Sequence, residues 1–209
     1  MLDLRPRGAA TRLVLVRHAE TEERARGLCV GRLDVPLGKP GRRQAEQLST
    51  ALAEPPLAAV YTSPLARARD TAGPIAAAHG LEPVVVPQFV ELDFGELEGL
   101  PFEQIEAERP ALFRGWMETP DEVRFPGGES LADLQARVLP VVAALRARHD
   151  GGEVGLVAHA GVLRVVLADA LGLAGSAVFR LDQSPGGVSV VDWFGESPVV
   201  RVVNTLARP

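Results

Sequence analysis

The chain has 209 residues, of which 46% are apolar and 23% are charged, and its 22 basic and 27 acidic side chains give a net charge of −5. The length fits one domain, and the composition is that of a soluble globular protein with enough apolar residues for a sizeable core. The mildly acidic balance excludes the broad basic surface by which proteins bind nucleic acid, so any anion must be held by a local cluster of basic side chains.

The N-terminus and the cysteine content favour a cytoplasmic protein. Residues 1–12 contain three arginines and no apolar stretch, so no signal peptide is predicted. The apolar runs are far too short to cross a membrane, and no membrane partner is expected. Cys29 is the only cysteine, which excludes an intrachain disulfide and fits a reducing compartment.

The first half of the chain alternates short apolar runs with stretches of helical spacing. Residues 1–11 are expected to form a frayed terminus. Three apolar runs predict buried strands, at residues 13–16, 59–62 and 83–86. Helical spacing predicts one helix over residues 41–52 and another that begins at Ser63, its N-cap, with Pro64 as the first helical residue.

The second half continues this alternation after an irregular stretch. Residues 100–129 mix aromatic side chains with many charges, prolines and glycines, and predict an irregular, partly helical insertion. Ser130 and Asp133 resemble a capping box that opens a long helix to about Arg148. The remaining predicted elements are a strand at 153–158, a helix at 162–171 closed by Gly172, and strands at 178–182, 188–194 and 199–203.

Strand and helix alternation over most of the length predicts one domain over residues 1–209. We expect a three-layer α/β/α sandwich with a mostly parallel central sheet. The insertion at residues 100–129 is expected to lie over the core as a cap. It carries seven acidic side chains against three arginines, so we expect it to disfavour highly anionic substrates such as inositol polyphosphates.

Polar side chains follow the ends of three predicted strands. The first strand leads into Arg17 and His18, the second into Ser63 with Arg67 one helical turn further on, and a later strand into His159. Ligands bind outside the carboxyl ends of strands in such sheets, so these side chains are expected to meet. Two arginines suit a phosphate or a carboxylate, and their charges would lower the pKa of a nearby histidine and keep it neutral and nucleophilic.

Five motifs in chain order resemble signatures of the histidine phosphatase superfamily, also called the phosphoglycerate mutase-like family. They are residues 17–21 (RHAET), 63–72 (SPLARARDTA), 91–99 (ELDFGELEG), 126–130 (PGGES) and 158–164 (AHAGVLR). Gly31 and Asp34 also follow the first motif at the family's usual distance. The resemblance spans about residues 12 to 195, and five ordered motifs are far more specific than any one of them.

The resemblance implies a metal-independent enzyme without a cofactor. His18 would attack phosphorus and become phosphohistidine, while Arg17, Arg67 and His159 would hold the phosphoryl oxygens. Glu91 would protonate the leaving oxygen and then activate water. Further contacts with substrate or phosphate are implied at Thr21, Arg24, Val30, Gly31 and Ala160.

Several of these assignments have simpler alternatives. Ala19 stands where the family usually has glycine, and Arg24 stands where an asparagine often contacts the phosphate. Glu91 lies among other acidic residues and is preferred through the resemblance alone. Phe113 and Trp116, three residues apart, could be core residues or a platform for the substrate.

Three functions remain open at this point. The motifs at residues 91–99 and 158–164 resemble the phosphatase branch of the family, in particular alpha-ribazole phosphatases and broad-specificity bacterial phosphatases. The first hypothesis is therefore hydrolysis of a small-molecule phosphate monoester. The alternatives are phosphoryl transfer of the phosphoglycerate mutase type and a catalytically inactive binding module, although no core residue of the motifs is lost. The oligomeric state is left open.

Overall fold

The structure, a computed structural model, describes residues 9–206. Across this range a six-stranded sheet has the order β3-β2-β4-β1-β5-β6. The strands are β1 Thr11–Arg17, β2 Ala59–Thr62, β3 Val84–Val85, β4 Glu153–Ala158, β5 Gly187–Phe194 and β6 Ser197–Leu206. Neighbours among β1 to β4 pair in parallel, whereas β5 runs antiparallel to both β1 and β6. The predicted mostly parallel sheet is confirmed.

Helices cover both faces of the sheet. They are α1 Lys39–Ala51, α2 Ala66–Ala77, α3 Phe102–Glu108, α4 Pro110–Glu118, α5 Leu131–Arg148 and α6 Ala160–Leu171. The capping box predicted at the start of α5 is present, and Gly172 ends α6 in the left-handed conformation. None of the helices between residues 9 and 206 is both long and apolar enough to cross a membrane.

The side chains of β1 divide the core into two layers. Leu13 and Leu15 pack in the cluster that contains residues of α5 and α6. Val14 and Val16 pack on the other face, in the cluster that contains residues of α1 and α2. Successive side chains of a strand point to opposite faces, so a strand buried on both faces reads as a continuous apolar run. The three-layer α/β/α fold class is confirmed.

The register of the central strands places the two predicted catalytic histidines side by side. Arg17 at the end of β1 pairs with Ala158 at the end of β4. The backbone N–H of His18 then donates to the carbonyl of Ala158 at 2.9 Å. His18 and His159 are the next residues of their strands, so both leave the sheet at its carboxyl edge.

The insertion at residues 100–129 is partly helical, as predicted. It contains α3, α4 and a 3₁₀ turn at Pro120–Glu122. Trp116 of α4 joins the insertion to the rest of the chain, because its ring centroid lies 5.1 Å from that of Phe94 and 5.9 Å from that of Phe179. The insertion therefore packs through an aromatic cluster centred on Trp116.

Two local predictions were wrong, and a third is mostly untested. The second helix does not begin at Ser63, because the N–H of Ser63 still donates to Val157 in the sheet and α2 starts only at Ala66. Residues 178–182 form no strand; a 3₁₀ helix, Gly175–Arg180, buries Val178. A short apolar run alone does not distinguish a strand from a buried helical turn. The frayed terminus predicted at residues 1–11 lies mostly outside the described residues, and Thr11 already belongs to β1.

Candidate active site

Two buried histidines meet at the carboxyl edge of the sheet. The ring centroids of His18 and His159 are 5.2 Å apart. Nδ1 of His18 lies 2.8 Å from the carbonyl oxygen of Ala19, which fits an N–H donor on Nδ1. In this tautomer Nε2 carries the lone pair, as a nucleophilic imidazole requires.

The surroundings of both imidazoles favour the neutral form. Burial, followed by the charges of Arg17 and Arg67, lowers the pKa of His18 well below its ordinary value, and the hydrogen bond with Ala19 opposes this only in part. Burial also lowers the pKa of His159 well below its ordinary value. The sequence predicted the direction for His18 from the like charges, but burial is the larger cause.

The imidazole of His159 contacts the hydroxyl group of Ser63. Nε2 of His159 lies 2.6 Å from Oγ of Ser63. Nδ1 of His159 is buried and has no hydrogen-bond partner among residues 9–206. His159 is fully buried and is not among the described residues that form the cavity wall.

Two arginines flank His18. Arg67, in the first turn of α2, donates to the carbonyl oxygens of Gly31 and Leu33, both at 2.6 Å. Arg17 donates to the carbonyl oxygen of Gln183, and its Nε is buried without a hydrogen-bond partner in the described part of the chain. Burial lowers the pKa of both guanidiniums, while the carboxylate of Glu91 opposes this shift. The structure thus concentrates positive charge beside His18 and places Glu91 near it.

The carboxylate of Glu91 is held by main-chain donors. One oxygen accepts from the N–H of Leu92 at 2.8 Å, and the other accepts from the N–H of Gly161, in the first turn of α6, at 3.0 Å. These two donors hold the carboxyl group of Glu91 in one orientation. Glu91 also lines the same cavity as His18.

Two acidic residues near Glu91 form contacts with residues outside the described cavity wall. Asp93 pairs with Arg32 at 3.0 Å, and Glu98 accepts from the N–H of Leu33 at 2.8 Å. Of these three acidic residues, only Glu91 is among the described residues of the cavity wall. Geometry therefore separates Glu91 from its neighbours, which the sequence alone could not do.

Sequence reasoning missed Arg137, which anchors the segment that carries Glu91. Its guanidinium donates to the carbonyl oxygens of Val90 at 2.7 Å and Glu91 at 3.0 Å. It also forms an ion pair with Glu129 at 2.8 Å. Burial would raise the pKa of Glu129, but the hydrogen bond and charge of Arg137 outweigh it and lower that pKa. The motif at residues 126–130 was visible in the sequence, but its partner on α5 was not.

The other predicted contact residues divide into two groups. Thr21, Val30, Gly31 and Ala160 line the cavity. Arg24 is not among the described residues of its wall; its side chain is 75% exposed and pairs with Glu22. The prediction for Arg24 is corrected for a geometric reason, since the 3₁₀ turn Glu23–Ala25 buries Ala25 and directs Arg24 to solvent.

Ala19, which replaces the usual glycine, fits its place. Its side chain is fully buried, and its N–H donates to Oγ1 of Thr71 at 3.0 Å. Oγ1 of Thr71 donates in turn to the carbonyl oxygen of Arg67 at 2.7 Å. The substitution thus leaves the backbone next to His18 tied to the helix that carries Arg67.

The cavity has a volume of about 580 Å³ and combines charged with aromatic side chains. Its charged and imidazole side chains include Arg17, His18, Arg67, Glu91 and Arg164. Its aromatic side chains are Phe94, Phe102, Trp116, Phe125 and Phe179. Trp116 is therefore part of the wall, whereas Phe113 packs against Trp116 outside the described wall.

The acidic side chains of the insertion do not face this cavity. The described wall contains Phe102, Trp116, Pro120 and Phe125 from residues 100–129, and none of the seven acidic residues of that range. We expected acidic charge in the insertion to repel highly anionic substrates. The reason given for this expectation is wrong, because these acidic side chains do not line the described cavity wall. The contribution of the insertion to the cavity is apolar.

Comparisons with known proteins agree with this geometry. A family model, that of the histidine phosphatase superfamily (branch 1), matches residues 13–206. Phosphoserine phosphatase 1 of Hydrogenobacter thermophilus is 38% identical over 193 residues, which cover 92% of each chain. A mycobacterial glucosyl-3-phosphoglycerate phosphatase matches with a TM-score of 0.87 at 28% identity, covering 94% of this chain and 99% of that chain. The alpha-ribazole phosphatase of Shigella flexneri matches with a TM-score of 0.83 at 27% identity, covering 93% and 96%.

Proposed function

Because the chain belongs to branch 1 of the histidine phosphatase superfamily, we propose that it is a phosphomonoesterase that hydrolyses a small organic phosphate through a phosphohistidine on His18. The observation that carries the proposal is the state of His18. It is buried, its Nδ1 is bound to the carbonyl of Ala19, and burial together with the charges of Arg17 and Arg67 lowers its pKa well below the ordinary value, which favours the neutral form. A neutral imidazole among arginines is a nucleophile placed where a phosphate dianion binds.

In the first step, the lone pair of Nε2 of His18 attacks phosphorus and the ester P–O bond breaks. Glu91 enters this step with a proton and gives it to the departing oxygen, which leaves as an alcohol. Arg17 and Arg67 bind the non-bridging oxygens, whose charge is greatest in the transition state. We assign His159 to the support of His18 and of the phosphoryl group.

In the second step, Glu91 removes a proton from water, and the resulting oxygen nucleophile attacks phosphorus. The P–N bond to His18 breaks, which restores the neutral imidazole and releases inorganic phosphate. Two displacements with one acid and base replace a single difficult hydrolysis. The guanidiniums supply the positive charge, so no metal ion takes part in the proposed mechanism.

The names of the relatives support the substrate class. Phosphoserine phosphatase and glucosyl-3-phosphoglycerate phosphatase are named for small organic phosphates. A cavity of about 580 Å³ has the size of small-molecule sites in general. A small-molecule phosphate monoester is therefore the proposed partner.

The test is detection of the covalent intermediate. Wild-type protein in EDTA is expected to release phosphate from p-nitrophenyl phosphate and, when quenched in alkali, to carry an acid-labile phosphoryl group. His18→Ala is expected to lose both, whereas His149→Asn, at the end of α5, should keep both. An adduct on His18→Ala, or activity that requires a divalent metal, would contradict the proposal. Transfer between phosphoglycerates in place of phosphate release would indicate the mutase alternative.

A further inference from the structure

The described cavity wall contains four arginines, and the proposed mechanism uses neither Arg164 nor the exposed Arg26. Arg164 lies on α6, one turn after Ala160, and lines the cavity together with Arg17 and Glu91. Its Nε donates to the carbonyl oxygen of Leu181 at 2.9 Å. Its guanidinium carbon lies 5.2 Å from the ring centroid of Phe179. The side chain is thus fixed by one hydrogen bond and one aromatic face.

The terminal nitrogens of Arg164 remain available. They make neither a hydrogen bond nor an ion pair with the residues that the structure describes, while only Nε is used. Arg67 differs, because both of its terminal nitrogens donate to carbonyl oxygens. A planar guanidinium edge with free parallel donors matches the two oxygens of a carboxylate.

Arg164 lies on the same face of α6 as Gly161, whose N–H donates to the carboxylate of Glu91 at 3.0 Å, because residues three positions apart share a helix face. Burial lowers the pKa of its guanidinium, and the carboxylates of Glu91 and Asp182 oppose this shift, so Glu91 is within electrostatic range. Arg164 in turn contributes to the lowered pKa of Arg17, after burial. Since Glu91 serves the departing oxygen, a donor beside Glu91 faces the alcohol part of the substrate.

We infer that Arg164 determines specificity by binding a carboxylate of the substrate, so that the preferred substrates are phosphate monoesters of hydroxy acids. The inference rests on the proposed function and deepens it. Donor geometry supports it, because Arg17 and Arg67 serve the phosphate in the proposed mechanism, whereas the terminal nitrogens of Arg164 are free to bind a second anionic group. A substrate without the carboxylate would leave a half-buried guanidinium unmatched.

The experiment compares two pairs of substrates that differ in one group. Phosphoserine has a carboxylate that phosphoethanolamine lacks, and 3-phosphoglycerate has one where glycerol 3-phosphate has a hydroxymethyl group. The carboxylate has the same spacing from the ester oxygen in both pairs. Wild-type kcat/KM is expected to favour the carboxylate member by about 10- to 100-fold, the effect of a charge-assisted hydrogen-bonded pair.

Arg164→Met is expected to remove this preference by lowering kcat/KM for the carboxylate members, with phosphoethanolamine changed by no more than about threefold. Arg164→Lys should restore part of the preference, because its ammonium keeps the charge without the planar donor pair. Arg42→Met, an exposed arginine of α1, is the matched control and should leave every ratio unchanged.

The outcomes separate this inference from the proposed function. Equal activity on both members of either pair, or an equal loss on all substrates in Arg164→Met, would overturn the role of Arg164 while phosphatase activity stands. Failure of the wild-type protein to hydrolyse any of these esters or p-nitrophenyl phosphate would remove the proposed function itself. A purely structural role for Arg164 would change stability or overall rate, but not the ratio within a pair.

Discussion

Glu91 and Gly161 meet at the first turn of α6, where one carboxylate oxygen of Glu91 accepts a hydrogen bond from the N–H of Gly161 at 3.0 Å. A methyl group on Gly161 would overlap the other oxygen of the same carboxylate. The proposed proton donor is therefore placed by a residue without a side chain. Glycine is required here for close approach and not for an unusual backbone angle.

Gly161→Ala is expected to displace Glu91 while it leaves His18 and its arginines in place. The value of kcat/KM for an alkyl phosphate should fall about 10- to 100-fold, since a displaced general acid loses part of its contribution. p-Nitrophenyl phosphate should lose less, because its leaving group needs little protonation. Steady-state kinetics with both substrates, compared with Glu91→Gln, measure the difference.

The matched control is Gly73→Ala in α2, where an added methyl group meets no atom within 4 Å. It should leave both substrates unaffected and raise stability by up to about 1 kcal/mol, the helix preference of alanine over glycine. An equal loss on both substrates in Gly161→Ala would mean that the methyl group disturbs phosphate binding, and the assignment of Glu91 as proton donor would lose its support.

The placement of His18 and His159 could be predicted from the sequence because it depends on strongly patterned elements. Each histidine follows a strand with a continuous apolar run. The carboxyl ends of parallel strands lie at the same edge of the sheet. The sheet order, with β4 beside β1, then brings the two rings together. These steps depend on hydrophobic patterning, which is the strongest signal in a single sequence.

The details that failed depend on side-chain direction and on distant partners. Arg24 occupies a position that suggested phosphate contact, but a one-turn helix directs it to solvent. Arg137 anchors the Glu91 segment through carbonyl oxygens more than forty positions away, and no local pattern signals such a contact. Arg164 was visible as the last residue of the motif at 158–164, but its free donors become evident only in the cavity.

The two buried histidines are expected to make folding stability fall below about pH 6.5. Their pKa values are lowered well below the ordinary value in the folded protein and return to about 6.5 in the unfolded chain. The unfolded state therefore binds protons that the folded state does not. The contribution of the neutral histidines to the free energy of unfolding is fully present above their pKa in the unfolded chain, and it decreases as the pH falls toward their pKa values in the folded protein.

Urea unfolding between about pH 5.5 and 7.5 measures this dependence. Each neutral buried histidine should contribute a slope of up to about 1.4 kcal/mol per pH unit. His159→Gln keeps a polar group near Ser63 but does not titrate, so its slope should be smaller by about one histidine. Equal slopes for both proteins would mean that His159 binds the same number of protons in the folded and unfolded states, so that folding does not lower its pKa.

The final prediction concerns the aromatic wall contributed by the insertion. The ring centroid of Trp116 lies within 6.4 Å of five other aromatic centroids. Trp116→Ala should lower stability by about 2 kcal/mol, less than the roughly 3–5 kcal/mol of a fully buried tryptophan, because its ring is half-buried. It should also lower kcat/KM for 1-naphthyl phosphate at least about fivefold relative to ethyl phosphate, because a lost aromatic contact costs about 1 kcal/mol or more.

Phe113→Ala is the matched control, because Phe113 packs edge-on against Trp116 but does not belong to the described cavity wall. It should lose stability and keep the preference for the naphthyl ester. An equal loss of preference would mean that order in the insertion, and not contact with Trp116, determines the preference.

The same wall gives the prediction about inositol polyphosphates a new cause. Apolar rings cannot replace the hydration of several phosphates, so kcat/KM for phytate should lie far below that for a simple monoester. Comparable values for the two would show that highly charged substrates avoid the aromatic wall.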